Sequence, residues 1–209
     1  KILTVGDNFT KALKEFGEYP IPVETFGALR FDFPAVNGSY IIEEARSEIF
    51  KRILYAFPVH FYQYQQIIQD LIEVFGNTEI EVHLKYHPLF QSNDNNMQLP
   101  SNFKVWSQDN NKKLNLTYDI VLFNDNSFGI ESLMMGVKSF EYEFGELYDE
   151  NRLFDFDLYP YRLDKNGLIN ICARILNSTI SKDLNKEYIH QYIESMYIVY
   201  NGNANQILN

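Results

Sequence analysis

The chain has 209 residues and a formal net charge of −10, with 45% hydrophobic and 22% charged residues. That is the composition of a globular protein able to bury a core without disulfide or metal staples. The acidic balance excludes a general nucleic-acid binder, because the basic residues are scattered and Lys112-Lys113 is too short to be a patch. An anionic ligand therefore has to be held locally, by a few side chains and backbone N–H groups. The lone cysteine, Cys172, excludes an internal disulfide, and its apolar helical setting predicts a buried, inert thiol. No apolar run has the length of a membrane span and no secretory signal is read. Lys1 stands inside what reads as a strand, so the sequence is expected to be a segment of a longer protein.

In chain order, Ile2 to Val5 reads as a strand and Phe9 to Phe16 as a helix capped by Asn8 and stopped by Gly17. Ile21 to Phe26 is extended, and 34–50 reads as a connector. Arg52 to Phe57 is a strand closed by Pro58. Tyr62 to Phe75 is an amphipathic helix with Ile67, Ile68, Leu71 and Ile72 inward, stopped by Gly76. Glu79 to His87 is a strand running into Pro88, and Gln91 to Ser101 a polar loop. Phe103 to Trp106 and Asp119 to Phe123 are strands, with a helical turn at Leu114 to Tyr118. Ile130 to Met135 is a short helix stopped by Gly136, and Val137 to Tyr142 a strand. Asn151 to Leu163 is an aromatic, acidic loop. Helices follow at Leu168 to Leu176 and Leu184 to Tyr200.

Strand and helix alternate roughly every 25–30 residues, the signature of βα units and of a parallel sheet covered by helices on both faces. The fold expected is α/β and Rossmann-like. The expected organisation is an interdomain segment over 1–50, a ligand-binding domain over 51–180 and a helical segment over 181–209.

Ligands of such sheets bind beyond the carboxyl ends of the strands, and two strand ends carry unusual polar residues. The first is Lys85-Tyr86-His87-Pro88, where alternation puts Lys85 and His87 on one side with His83. The second is Asn124-Asp125-Asn126-Ser127-Phe128-Gly129, which leads into a helix carrying Glu131. A hydroxyl, a glycine and a helix start suit a phosphate, a histidine adds a further hydrogen-bond donor, and a carboxylate suits paired ribose hydroxyls. Each also has a plainer reading: His87 as a polar rim residue, Ser127 as a helix cap, Glu131 as a first-turn acid favoured by the dipole. His83 reads as a packed strand residue, and His60 and His190 as structural or surface groups. Asp155 and Asp157 read as solvated loop acids. No cluster has metal-ligand spacing, and no GxGxxG, P-loop or GxSxG occurs.

Taken together, these segments resemble a known family. Lys85-Tyr86-His87-Pro88 resembles the K-x-H-P motif of bacterial enzymes that build capsule, teichoic acid and lipopolysaccharide, mostly of the two-Rossmann GT-B architecture. Residues 119–137 resemble the family's second motif, a strand ending in serine followed by a helix of pattern E-[AS]-L-x-x-G, here Glu131-Ser132-Leu133-Met134-Met135-Gly136. Gly27-Ala28-Leu29-Arg30-Phe31-Asp32 resembles a G-x-x-R-F/Y-D element that precedes the sugar-donor domain. The resemblance covers residues 1–145 in order. It implies the C-terminal, donor-binding half of a GT-B glycosyltransferase, with His87 and Ser127 gripping the phosphate of a CMP-, CDP- or UDP-linked sugar and Glu131 on the ribose. Lys85, Asn126 and Gly129 complete the implied site. One departure is Asn126, where relatives carry a second adjacent hydroxyl.

By that resemblance the reaction is inverting and needs no metal or cofactor. The partners are a nucleotide-sugar donor, a glycan or lipid-linked acceptor, and an N-terminal acceptor domain of the same protein that supplies the general base. The expected location is the cytoplasm or the inner face of its membrane. Two other readings stay open: a nucleotide-sugar 2-epimerase on the same scaffold, and a non-catalytic module binding a glycan or partner through Phe154 to Tyr161.

Overall fold

Apolar runs bounded by turn residues become strands, and apolar residues at helical spacing become helices that cover them. The computed structural model describes residues 1–26, 47–59, 64–87, 98–106, 114, 116–124, 126–143 and 161–196. Their elements are β1 (Ile2–Thr4), α1 (Asp7–Phe16), β2 (Val23–Thr25), β3 (Arg52–Ala56), α2 (Tyr64–Phe75), β4 (Glu81–Lys85) and β5 (Phe103–Val105). There follow β6 (Ile120–Phe123), α3 (Phe128–Met134), β7 (Ser139–Tyr142), β8 (Arg162–Leu163), α4 (Lys165–Leu176) and α5 (Lys186–Met196). The Gly27–Asp32 segment, Pro88, Asp125 and the aromatic stretch before Tyr161 lie outside the described residues, as do His60, Asp155 and Asp157.

The chain divides into two units, one containing described residues 1–26 and 185–196, the other those from 47 to 143 and 161–184. In the first, β1 and β2 pair in parallel through α1, and α5 packs on α1. Helix α1 starts at Asp7, two residues earlier than its apolar spacing predicts. Gly6, in extended conformation, is the N-cap, Thr10 N bonds Gly6 O at 3.1 Å, and Asp7 supplies the acid that the helix dipole favours. Asn8 is thus inside the helix and is not its cap. Gly17 ends it as expected, its N–H on Leu13 O at 3.0 Å.

In the second unit all six strands are parallel, in the order β5-β4-β3-β6-β7-β8. This is the third, second, first, fourth, fifth and sixth strand of the unit, the order of a doubly wound Rossmann sheet. One face, carrying Ile53, Tyr55, Val82, Leu84, Ile120, Leu122 and Tyr142, packs on α2 and α4. Ile67, Ile68 and Leu71 of α2 are fully buried there, each worth about 1.5–3 kcal/mol. The other face, with Leu54, Val121 and Phe123, is buried too, and α3 packs on it at β6 and β7. Strands buried on both faces explain the unbroken apolar runs in the sequence. Asp70, buried in α2, accepts from Tyr142 Oη at 2.8 Å and pairs with Lys165 Nζ at 2.9 Å, which ties α2, α4 and β7 together.

Several further boundaries differ from the sequence expectation; β4 is Glu81–Lys85 instead of Glu79 to His87, β7 begins at Ser139 instead of Val137, and α5 begins at Lys186 instead of Leu184. Arg162-Leu163, read as loop, is an edge strand on β7, held by Glu141 N to Tyr161 O and Glu143 N to Leu163 O, both 2.9 Å. Two residues are too few to show a period. Helix α4 begins three residues before its apolar stripe because Asp164 caps it, accepting from Gly167 N at 2.8 Å. Helix α3 begins at Phe128, before the expected Ile130. It ends at Met134, just before Gly136, whose φ of 76° is the left-handed conformation that glycine tolerates. Cys172 is buried on α4 as expected, its Sγ donating to Val74 O at 3.6 Å, and burial raises the thiol's pKa.

The amino ends of the strands are held by ions. Asp119, just before β6, accepts from Phe50 N at 2.8 Å and Arg52 N at 2.9 Å and pairs with buried Lys182 at 2.8 Å. Glu81 of β4 pairs with Arg52 at 2.6 Å, with Lys104, and with His83 Nε2 at 3.3 Å. Burial alone would raise the Glu81 carboxyl, but hydrogen bonds from Lys104, Arg52 and His83 carry it down to about 2. His83 is the packed strand residue expected, bonded through Nδ1 to Tyr118 Oη at 2.7 Å. Burial depresses its pKa.

Candidate functional site

The strand order reverses between β3 and β6, so the crevice of this sheet opens beyond their carboxyl ends. Strand β4 lies on the far side of β3. Lys85 and Phe123 are both the register partners of Ala56, so the three strands end level with one another. At sheet spacing, the chain leaves β4 and β6 about 10 Å apart. Both polar segments singled out in the sequence therefore flank one crevice.

The exit of β4 is fixed by rings. Tyr86 stacks on Phe57, centroids 5.0 Å apart and planes within 8°, and Phe57 lies 4.4 Å from Tyr64. Tyr64 Oη donates to Pro58 O at 2.7 Å, and Phe57 N to Lys85 O at 3.0 Å. His87, the next residue, is half-buried. The strand ends at Lys85, so strand alternation does not extend to His87 and does not by itself set its side. Lys85 lies along the opposite face from Tyr86, its ammonium 4.6 Å from the Phe128 ring and 5.2 Å from Trp106. A cation over ring faces is attracted by their quadrupoles, and here the attraction links β4 to the first residue of α3.

The β6–α3 connection is held by amides. Asn124 Nδ2 donates to Tyr142 O at 2.8 Å. Asn126 Nδ2 donates to Ala56 O at 2.9 Å and to Asn124 O at 2.8 Å, and its Oδ1 accepts from Phe128 N at 3.0 Å. Ser127 occupies the cap position but makes no side-chain capping bond; its Oγ donates to Glu131 Oε1 at 3.3 Å, one turn on. The capping reading of Ser127 thus passes to Asn126. Gly129 is set against Phe123: a Cβ there would stand 2.2 Å from the ring. The glycine lets α3 lie directly on β6, which brings Ser127 and half-buried Glu131 to the rim.

Lys85, His87, Asn126, Ser127, Gly129 and Glu131 are all at or beside the carboxyl ends of β4 and β6, the two neighbours of β3. His83 and Glu81 are on β4 but belong to the ion cluster at its amino half. Among the described residues no group of three His, Cys, Asp or Glu side chains is placed to hold a metal ion, and no helix is long and apolar enough to cross a membrane.

No protein-family model matches the chain, and neither does any curated protein. Solved structures do. TarM aligns over 99% of this chain and 41% of its own, with 12% identity and a TM-score of 0.53. The wall teichoic acid polymerase TagF, solved after a soak with CDPG, aligns over 99% of this chain and 54% of its own, with 16% identity and a TM-score of 0.53. What they share is a GT-B, Rossmann-like fold. The chain spans about half the length of these proteins.

Reading the strand ends from sequence located the rim. It missed the Lys85–Trp106–Phe128 stack and the internal use of Asn126. A single sign of the second was available: an asparagine two residues before a helix is a common backbone bracket.

Proposed function

We propose that this chain is the sugar-donor-binding part of a glycosyltransferase that builds a bacterial cell-surface polysaccharide. The observation that carries the reading is the reversal of strand order between β3 and β6, flanked by His87 on one side and Ser127 with Glu131 on the other. That crevice is where doubly wound sheets take nucleotides. The similarity in fold to a wall teichoic acid polymerase solved with CDPG supports a surface polymer and a nucleotide-linked donor.

In this reading His87 and Ser127 donate to the phosphate of a CMP-, CDP- or UDP-linked sugar, and Glu131 takes the ribose hydroxyls. Lys85 and Gly129 hold α3 in place around them. As the glycosidic bond to phosphate breaks, charge grows on the phosphate oxygens, and hydrogen bonds already aimed there lower the barrier. The protein groups do this without a metal. An aspartate or glutamate of a partner acceptor domain in the same protein removes the proton of the acceptor hydroxyl, and direct displacement inverts the sugar carbon. The acceptor is a glycan or lipid-linked chain, and the enzyme works in the cytoplasm or at its membrane face.

Calorimetric titration with CMP, CDP and UDP tests the reading. One nucleotide should bind, and His87→Ala should weaken it about 10- to 100-fold, the worth of a hydrogen bond to a charged group. A folded protein that binds none of the three sinks the donor-site reading and favours a non-catalytic module of the same fold.

A further inference from the structure

We propose that Asn126 is a positioning residue, a bolt that joins the β6–α3 connection to the end of β3 and so sets Ser127 and Glu131; this rests on the donor-site reading above. The resemblance in sequence places Asn126 among groups that touch the donor phosphate. The geometry gives its carboxamide another task. Both partners of Nδ2 are backbone carbonyls, Ala56 O at 2.9 Å and Asn124 O at 2.8 Å, and Oδ1 takes Phe128 N at 3.0 Å. A carboxamide has two N–H donors, and both are committed. The reversed amide would turn an oxygen toward two carbonyl oxygens, so the partners fix its orientation.

The Ala56 bond spans 70 residues and crosses from β3 to the chain leaving β6, the two strands between which the sheet order reverses. Asn126 therefore closes the base of the crevice and presents its neighbours to the ligand. Ser127 follows it directly, and the Ser127–Glu131 pair at 3.3 Å moves with the connection. A hydroxyl at position 126 is too short to cap Phe128 N and reach Ala56 O together.

The test is Asn126→Ser, which keeps an oxygen for Phe128 N, adds no charge and removes the bridge. Hydrogen exchange of the ligand-free protein over residues 124–130 should quicken about tenfold, and affinity for the nucleotide that the wild type binds should fall about tenfold, the scale of one to two lost hydrogen bonds. A direct phosphate contact predicts unchanged nucleotide affinity, because a serine hydroxyl donates as well as an amide. Equal nucleotide affinity, or unchanged exchange over 124–130, overturns the proposal. If the wild type binds none of CMP, CDP and UDP, the donor reading falls by itself and the exchange measurement still decides whether the bolt exists.

Discussion

The two ends of the parallel sheet are held by different chemistry. At the amino ends, charges satisfy one another: Asp119 takes two backbone N–H groups and the Lys182 ammonium, and Glu81 takes Arg52 and Lys104. Around the β3–β6 crevice, at the carboxyl ends, the joins are neutral amides, a glycine on a ring, and a lysine over aromatic faces. A buried charge is tolerated only when fully paired, and removing one partner is costly. Concentrating such pairs at the amino ends leaves the joins around the crevice to amide hydrogen bonds and close apolar fit. The frame is rigid at one end by charge and at the other by fit.

The largest effect should come from breaking the charged end. Asp119→Ala removes the carboxylate that pairs with Lys182 and caps two backbone N–H groups, and should cost about 3–5 kcal/mol, seen as a fall in Tm on the order of 10 °C. The crevice end breaks by crowding instead. Gly129→Ala puts a methyl 2.2 Å from the Phe123 ring and should cost about 1–3 kcal/mol in denaturant unfolding, with nucleotide affinity falling alongside because α3 is pushed off β6.

Acid sharpens the contrast. Glu81 has its pKa carried down to about 2 in the fold, against an ordinary 4.5, so its stabilisation is full above 4.5 and is lost as pH falls toward 2. His83 has its pKa depressed below 6.5 by burial. The unfolded chain takes up that proton first, so stability also declines as pH drops below 6.5. Urea midpoints from pH 8 to 3 should fall in two stages, and Glu81→Gln should flatten the lower one; a flat profile in the wild type would contradict the pairing. The smallest effect is Lys85→Met, which keeps the apolar stem and loses the cation–π contact: about 0.5–1 kcal/mol, with no change in the acid profile.

The carboxyl edge on which the proposed site stands was legible in the sequence because strand ends announce themselves. An apolar run that stops at polar residues marks a carboxyl edge, as at Lys85-Tyr86-His87 and Asn124 to Ser127. What escaped was the use of each group once there. Ser127 had a plainer reading as a capping side chain, yet it is Asn126 Oδ1 that takes Phe128 N, and Ser127 Oγ turns to Glu131. Arg162-Leu163 escaped because a two-residue strand exists only through its partner β7.

By itself, the sequence determined all the described strands and helices but Arg162-Leu163, that the sheet is parallel with both faces covered, and where its carboxyl edge lies. Those properties follow from spacing along the chain, since backbone period and apolar repeat are local. Only the tertiary structure decided that β4 and β6 lie on either side of β3, that Asn126 reaches Ala56 across 70 residues, and that Gly129 is required by Phe123. Each depends on groups far apart in sequence meeting within a few ångströms, which no local period encodes.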